Sequence, residues 1–271
     1  MKIKTILSLI TLSIGSLVHA EDSVSKPSVN PLSQLNNVRV SMQRMLKSTD
    51  NQYFLSLYAG VPNPKATLTV LENADTIALK GTQKGNDLIL NADLSTQPNI
   101  EVVKKITGVL DSNSGIFQTK ILIDEDWSSI QFDPAFKVEN KPLFIFKFYG
   151  VKADTQKQEQ LLTRVDVVNK TSKAVAQSLT GFSAFPNSIG YMDINFDGYY
   201  DIILSDLSQD RTIQDKRFIY WMYNPKTQQF QRSPQLEKIV GFPNLLGEKQ
   251  QIDFGNGQVY QVENGLLNKI I

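Results

Sequence analysis

The feature that most restricts the fold of this chain is a period-two alternation of apolar and polar residues. Turn signals break it at roughly ten-residue intervals. Leu68 and Val70 precede the turn Glu72-Asn73-Ala74-Asp75, and Ile77 and Leu79 follow it. Gly85-Asn86-Asp87 opens the next run, Leu88–Leu94. Val102–Leu110 and Ile116–Ile123 flank Asp111-Ser112-Asn113-Ser114-Gly115, which reads as a structural hairpin turn. Successive side chains of a strand point to opposite faces, so such runs bury one face and wet the other. Short runs joined by tight turns pair with their neighbours, which predicts an all-β antiparallel meander. Tyr53–Tyr58, Phe144–Tyr149, Thr163–Val168, Ala174–Leu179 and Phe218–Tyr223 follow the same grammar, as do the tail segments Gln258–Val262 and Leu266–Ile271. Two segments are expected to be helical. In Val38–Lys47, Val38, Met42, Met45 and Leu46 fall at helical spacing. Gln235–Val240 follows a Ser233-Pro234 start.

One stretch carries metal chemistry, Asp193-Ile-Asn-Phe-Asp-Gly-Tyr-Tyr-Asp201. Side-chain oxygens recur at Asp193, Asn195 and Asp197, Gly198 permits a sharp turn, and Asp201 closes the run. Calcium takes six to eight oxygens, and a tightly curled loop aims alternate side chains at one point. The Tyr199 carbonyl would complete that shell. An EF-hand is excluded: its twelfth position needs a bidentate Glu and here holds Leu204. The flanks, Ile189-Gly-Tyr-Met and Ile202-Ile-Leu, read as strands. A calcium loop between two strands, with Asp at its ninth position, is the pattern of propeller-type repeats. A metal-free Asp/Asn/Gly turn is the bland alternative.

Met1–Ala20 has the layout of a secretory signal peptide: Lys2 and Lys4, an apolar run, then Val18-His19-Ala20. The expected mature chain starts near Glu21 and resides in the periplasm, clear of the membrane. Cleavage removes His19, the only histidine, and the chain has no cysteine. Imidazole and thiol nucleophile systems, His-ligated zinc and disulfides are thereby excluded from the mature chain. Without Lys2 and Lys4, the 28 basic residues fall to 26 against 27 acidic ones, so charge gives no argument for nucleic acid. Residues 21–37 read as a flexible leader. A boundary near Lys137–Pro142 divides an N-terminal β region, 38–137, from a C-terminal calcium-binding β region, 138–271.

The metal stretch, the run Phe218-Ile-Tyr-Trp-Met-Tyr-Asn-Pro-Lys-Thr-Gln-Gln-Phe230, and the closing Val259-Tyr-Gln-Val-Glu-Asn-Gly-Leu-Leu267 together resemble a bacterial periplasmic family. Its best-known members are β-propeller-like, calcium-binding immunity proteins that inhibit lysozyme-like peptidoglycan hydrolases delivered by type IV secretion systems. The resemblance spans about residues 144–271. It implies an all-β, propeller-like body and a calcium held by Asp193, Asn195, Asp197, Asp201 and the Tyr199 carbonyl. It also implies a secreted cell-wall hydrolase as partner and no enzymatic activity of the chain's own.

The partner contact is expected in the polar segment Ser205–Lys216, at Gln209, Asp210, Arg211 and Gln214, next to the calcium loop. Two other classes stand beside this one. A calcium-dependent glycan- or surface-binding module would stack sugars on Tyr220, Trp221 and Tyr223, although alternating aromatics more often pack a core. A glycosidase would need a carboxylate pair drawn from Asp124, Glu125, Asp126 and Asp133.

Overall fold

The computed structural model describes residues 32–36, 38–61, 63–93, 103–155, 158–263 and 265–270, without the side chains of 152–155 and 158–159. The expected signal peptide, and the leader apart from 32–36, lie outside the described residues. After a two-residue strand β1 (Ser33–Gln34), eight strands succeed one another. They are β2 (Val40–Ser48), β3 (Tyr53–Ala59), β4 (Lys65–Val70), β5 (Thr76–Lys84), β6 (Asp87–Ala92), β7 (Val103–Leu110), β8 (Phe117–Ile123) and β9 (Asp126–Pro134). Each runs antiparallel to the next. The last returns to the first, pairing Leu46 with Pro134 and Ser48 with Phe132, so the meander closes into an eight-stranded barrel.

The alternation explains the barrel core. An eight-stranded barrel has an interior just wide enough for side chains to fill. Leu46, Leu55, Leu68, Leu90, Phe117 and Phe132 fill it, each buried to within 1% of complete. Each such burial contributes about 1.5–3 kcal/mol. At Gly81 the backbone of β6 comes so near that a Cβ would overlap the Ile89 carbonyl.

Beyond the barrel come β10 (Phe144–Thr155), β11 (Gln158–Asn169), β12 (Val175–Leu179), β13 (Ala184–Met192), β14 (Asp201–Asp206), β15 (Phe218–Asn224) and β16 (Gln229–Arg232). These strands are antiparallel among themselves, and β13 joins the barrel by a parallel pairing with β2, from Ile189↔Val40 to Tyr191↔Met42. A separate four-stranded antiparallel sheet follows: β17 (Asn244–Leu246), β18 (Gln251–Asp253), β19 (Val259–Glu263) and β20 (Leu266–Lys269). Two further apolar clusters hold this half. One packs Leu162, Val165, Ile202 and Leu204 within the β11–β14 layer. The other packs Met192, Ile194, Phe218 and Ile252 against Met45 and Phe54, from the outer face of the barrel.

The all-β, antiparallel expectation holds. Residues 40–134 close into a barrel, however, and do not form radial propeller blades, because β9 finds β2 as its last partner. The helix expected over Val38–Lys47 is the strand β2. Its four residues Gln43, Arg44, Met45 and Leu46 are all buried, because β3 covers one edge while β9 and β13 share the other. Tertiary pairing on both edges overrides an accidental helical spacing. The second expected helix is present but shorter, α1 (Pro234–Glu237), with Pro234 in its first turn.

Candidate functional site

The Asp193–Asp201 stretch forms a closed loop between β13 and β14. Its start and end are buried: Asp193 is 3% and Asp201 0% exposed. Asp193 folds the loop by accepting from the backbone N–H groups of Asp197 (3.0 Å) and Gly198 (2.8 Å). Asp201 accepts from Ile194 N–H at 2.9 Å and, across to β15, from Tyr223 N–H at 2.8 Å. Asp197 accepts from Tyr199 N–H and from the Asn195 amide, each at 2.9 Å. Phe196 and Gly198 both take positive φ, +57° and +87°. A Cβ at position 198 would strike Val138, so glycine is required there by space as well as by conformation. The intervening Ile194 and Phe196 point into the core, Phe196 against Phe136 with ring centres 5.3 Å apart.

Two carboxyls of the loop are held above the ordinary carboxylate range. Burial, followed by the charge of Asp197, pushes the Asp193 carboxyl up to about 7. Burial and the charge of Asp193 hold Asp201 well above the usual carboxylate range. Lys141 supplies one positive group, donating to the Gly198 carbonyl at 2.6 Å and resting 3.6 Å from the centre of the Tyr200 ring. Its own burial draws its ammonium down to about 8.

The donor set fits a hard cation in chemistry. Asn195 Oδ1 is buried and has no hydrogen-bond partner, which is costly for an amide oxygen. Each carboxylate offers about four acceptor sites, so two backbone bonds leave capacity for an ion. Among the described residues, though, no three carboxylates stand together as a ready-made metal shell. The loop is held shut by its own N–H groups.

The segment 205–216 lies elsewhere. Asp201 and Asp206 are the two ends of β14, roughly 17 Å apart at a strand's rise. The segment, expected next to the loop, is therefore separated from it by the length of β14. What fixes the segment is buried Asp206, which accepts from Ser208 N–H at 2.9 Å and from the Ser208 hydroxyl, and pairs with Arg211. Gln209 and Asp210 both take positive φ and are exposed. Gln214 is exposed in the 3-10 turn Ile213–Asp215, where Thr212 N–H donates to Asp215 at 2.6 Å.

The other candidates disperse. Tyr220 is 0% and Tyr223 6% exposed, so of the aromatic triplet only the half-buried Trp221 reaches the surface, and the three do not form a shared sugar platform. Asp124, Glu125 and Asp126 are exposed at the β8–β9 turn. Asp126 and Asp133 sit at opposite ends of β9, roughly 23 Å apart. Glycosidase carboxylates lie about 5–9.5 Å apart.

Sequence reasoning missed Lys141, Phe136 and Val138, all from the crossing 135–143 that packs onto the loop. Nothing in their local pattern marks them, because the contact joins segments far apart in the chain. No family model, curated protein or solved structure matches this chain.

Proposed function

We propose that this chain is an exported, periplasmic binding protein of the immunity type, which inhibits a lysozyme-like peptidoglycan hydrolase and takes up calcium at Asp193–Asp201. The reading rests first on the shape of the 205–216 segment. Asp206, Ser208 and Arg211 lock its base while Gln209, Asp210, Ile213 and Gln214 stay exposed. A pre-shaped loop on a β body enters a substrate groove with little ordering cost. The calcium part is supported by the unpartnered Asn195 Oδ1 and the buried carboxylates of Asp193 and Asp201. Asp193, Asn195, Asp197, Asp201 and the Tyr199 carbonyl would hold the ion, Asp201 also anchoring the loop through the Ile194 and Tyr223 N–H groups. The ion's role is structural, neutralising buried charge. The propeller-like part of the reading applies to the C-terminal half, where β17–β20 form a four-stranded meander of the size of one blade.

The test combines binding with lysis. The mature protein is titrated against lysozyme-like hydrolases, and turbidity of a cell-wall suspension reports their activity. A stable complex and suppressed lysis are expected, with both lost when Gln209, Asp210, Ile213 and Gln214 are replaced by Gly or Ser while Arg211 is kept on Asp206, which should leave the melting temperature nearly unchanged. Inhibition that survives this replacement moves the contact elsewhere. Failure to bind any hydrolase of the panel overturns the inhibitor reading. Calcium is checked separately: it should raise the melting temperature where magnesium does not, and Asp193→Ala and Asp197→Ala should abolish the response.

A further inference from the structure

A large cavity lies beside the Asp193–Asp201 loop. It has a volume of about 760 Å³ and lies at one mouth of the barrel. It exists because β2 leaves β9 there. Only Leu46–Ser48 pairs with β9, whereas Val40–Met42 turns away to pair with β13. Val40, Met42 and Arg44 share the strand parity of Leu46, whose side chain is in the barrel core. Their faces therefore continue the barrel interior into a space that no strand closes.

The chemistry of this space is divided. Arg44 is only 5% exposed, and among the described residues no carboxylate pairs with it; it donates to the Ser112 carbonyl at 3.0 Å and is hydrogen-bonded to the Tyr200 side chain. Lys141 and Lys170 line the same cavity, the latter held on Asn113 at 2.5 Å. Two carboxylates also face it, Asp133 and Asp193. Asp133 accepts from Gln131 at 2.7 Å, and Asp193 is occupied by loop N–H groups. The opposing wall is aromatic: Phe146 meets Tyr191 edge-on at 5.0 Å, and Tyr191 meets Tyr200 at 5.0 Å. A buried guanidinium without an acid partner is costly unless something else supplies the anion.

We infer that the barrel mouth is a binding site for a small organic carboxylate with an apolar or aromatic body, its carboxylate on Arg44 and its body against Phe146, Tyr191 and Tyr200. A planar carboxylate matches the guanidinium fork in a bidentate fashion, which a point-charge ammonium does not. The volume is in the range of small-molecule pockets and exceeds what an inorganic ion needs. The inference does not rest on the hydrolase, but the cavity shares a wall with the Asp193–Asp201 loop through Asp193, Gly198 and Tyr200.

The experiment uses the full mature chain, with 2-naphthoate, its neutral analogue 2-naphthamide and inorganic phosphate as probes, read by titration calorimetry. One site for 2-naphthoate is expected, with 2-naphthamide and phosphate each weaker by roughly tenfold or more. Arg44→Gln should weaken 2-naphthoate by a similar factor, and Arg44→Lys should recover only part of it. Lys170→Gln, on a side chain at the rim, should weaken it less. Equal binding of the acid and the amide overturns the inference, as does phosphate binding as tightly as naphthoate. So does an absence of naphthoate binding. The comparison of probes needs no variant, so it decides the matter even if Arg44→Gln fails to fold.

Discussion

Asp201 joins the loop to the neighbouring strand. Its two oxygens tie Ile194, inside the loop, and Tyr223, on the neighbouring strand, to the first residue of β14. Asp201→Ala should leave two N–H groups unpaired in the interior, each costing about 1–3 kcal/mol. Asp201→Asn keeps one acceptor and should lose about half as much. Urea midpoints of the two variants check the order, and equal losses would mean that one of the two bonds contributes nothing. Asp193 gives a pH dependence with a definite sign. In chelator, the folded carboxyl keeps its proton to about pH 7, whereas the unfolded chain releases it near 3.8. A folded pKa above the unfolded one contributes stability at low pH that is lost as pH rises through the folded value. The calcium-free protein should therefore become more stable on acidification from pH 8 to pH 5. Calcium should flatten or invert that trend, because it holds the carboxylate ionised. Identical pH profiles with and without chelator would argue against an ion at this loop.

At the scale of elements, the barrel depends on strands that approach closely as well as pair. Gly81→Ala should cost about 2 kcal/mol or more, since its Cβ has no room beside the β6 backbone. A thermal melt indistinguishable from wild type would show that β5 and β6 can separate freely there. Most strands were legible from the sequence, because a half-buried strand must alternate and its turns need Gly, Asn or Asp. The strand β2 was not. With both edges paired, it carries Gln43 and Arg44 in buried positions, and its apolar residues mimic a helical stripe. The short strands β17 and β18 were missed as well: Asn244–Leu246 and Gln251–Asp253 are too brief to show a period. The loop's oxygens were legible because their spacing is local. Lys141 and Arg44 were not, because only the tertiary fold brings them to the loop and to the barrel mouth.

For the molecule as a whole, alternation predicted antiparallel pairing but could not say which strand would be the last to find a partner, and that choice makes the barrel. The expected export is checked by mass spectrometry of a periplasmic extract, which should return an N-terminus within a few residues of Glu21. Full-length chain in the membrane fraction would contradict it. The divided allegiance of β2 has a temporal consequence. Its second half belongs to a ring of neighbours in sequence, β3 to β9, whereas its first half waits for β13, more than half the chain away. Loop closure over such a span is entropically costly and slow. Refolding monitored by pulsed hydrogen exchange should protect the amides of β3 to β8 early and those of Val40–Met42 late. In the interval, the barrel would stand closed on itself with Met45 and Phe54 still facing water, an adhesive intermediate that a chaperone would be expected to shield.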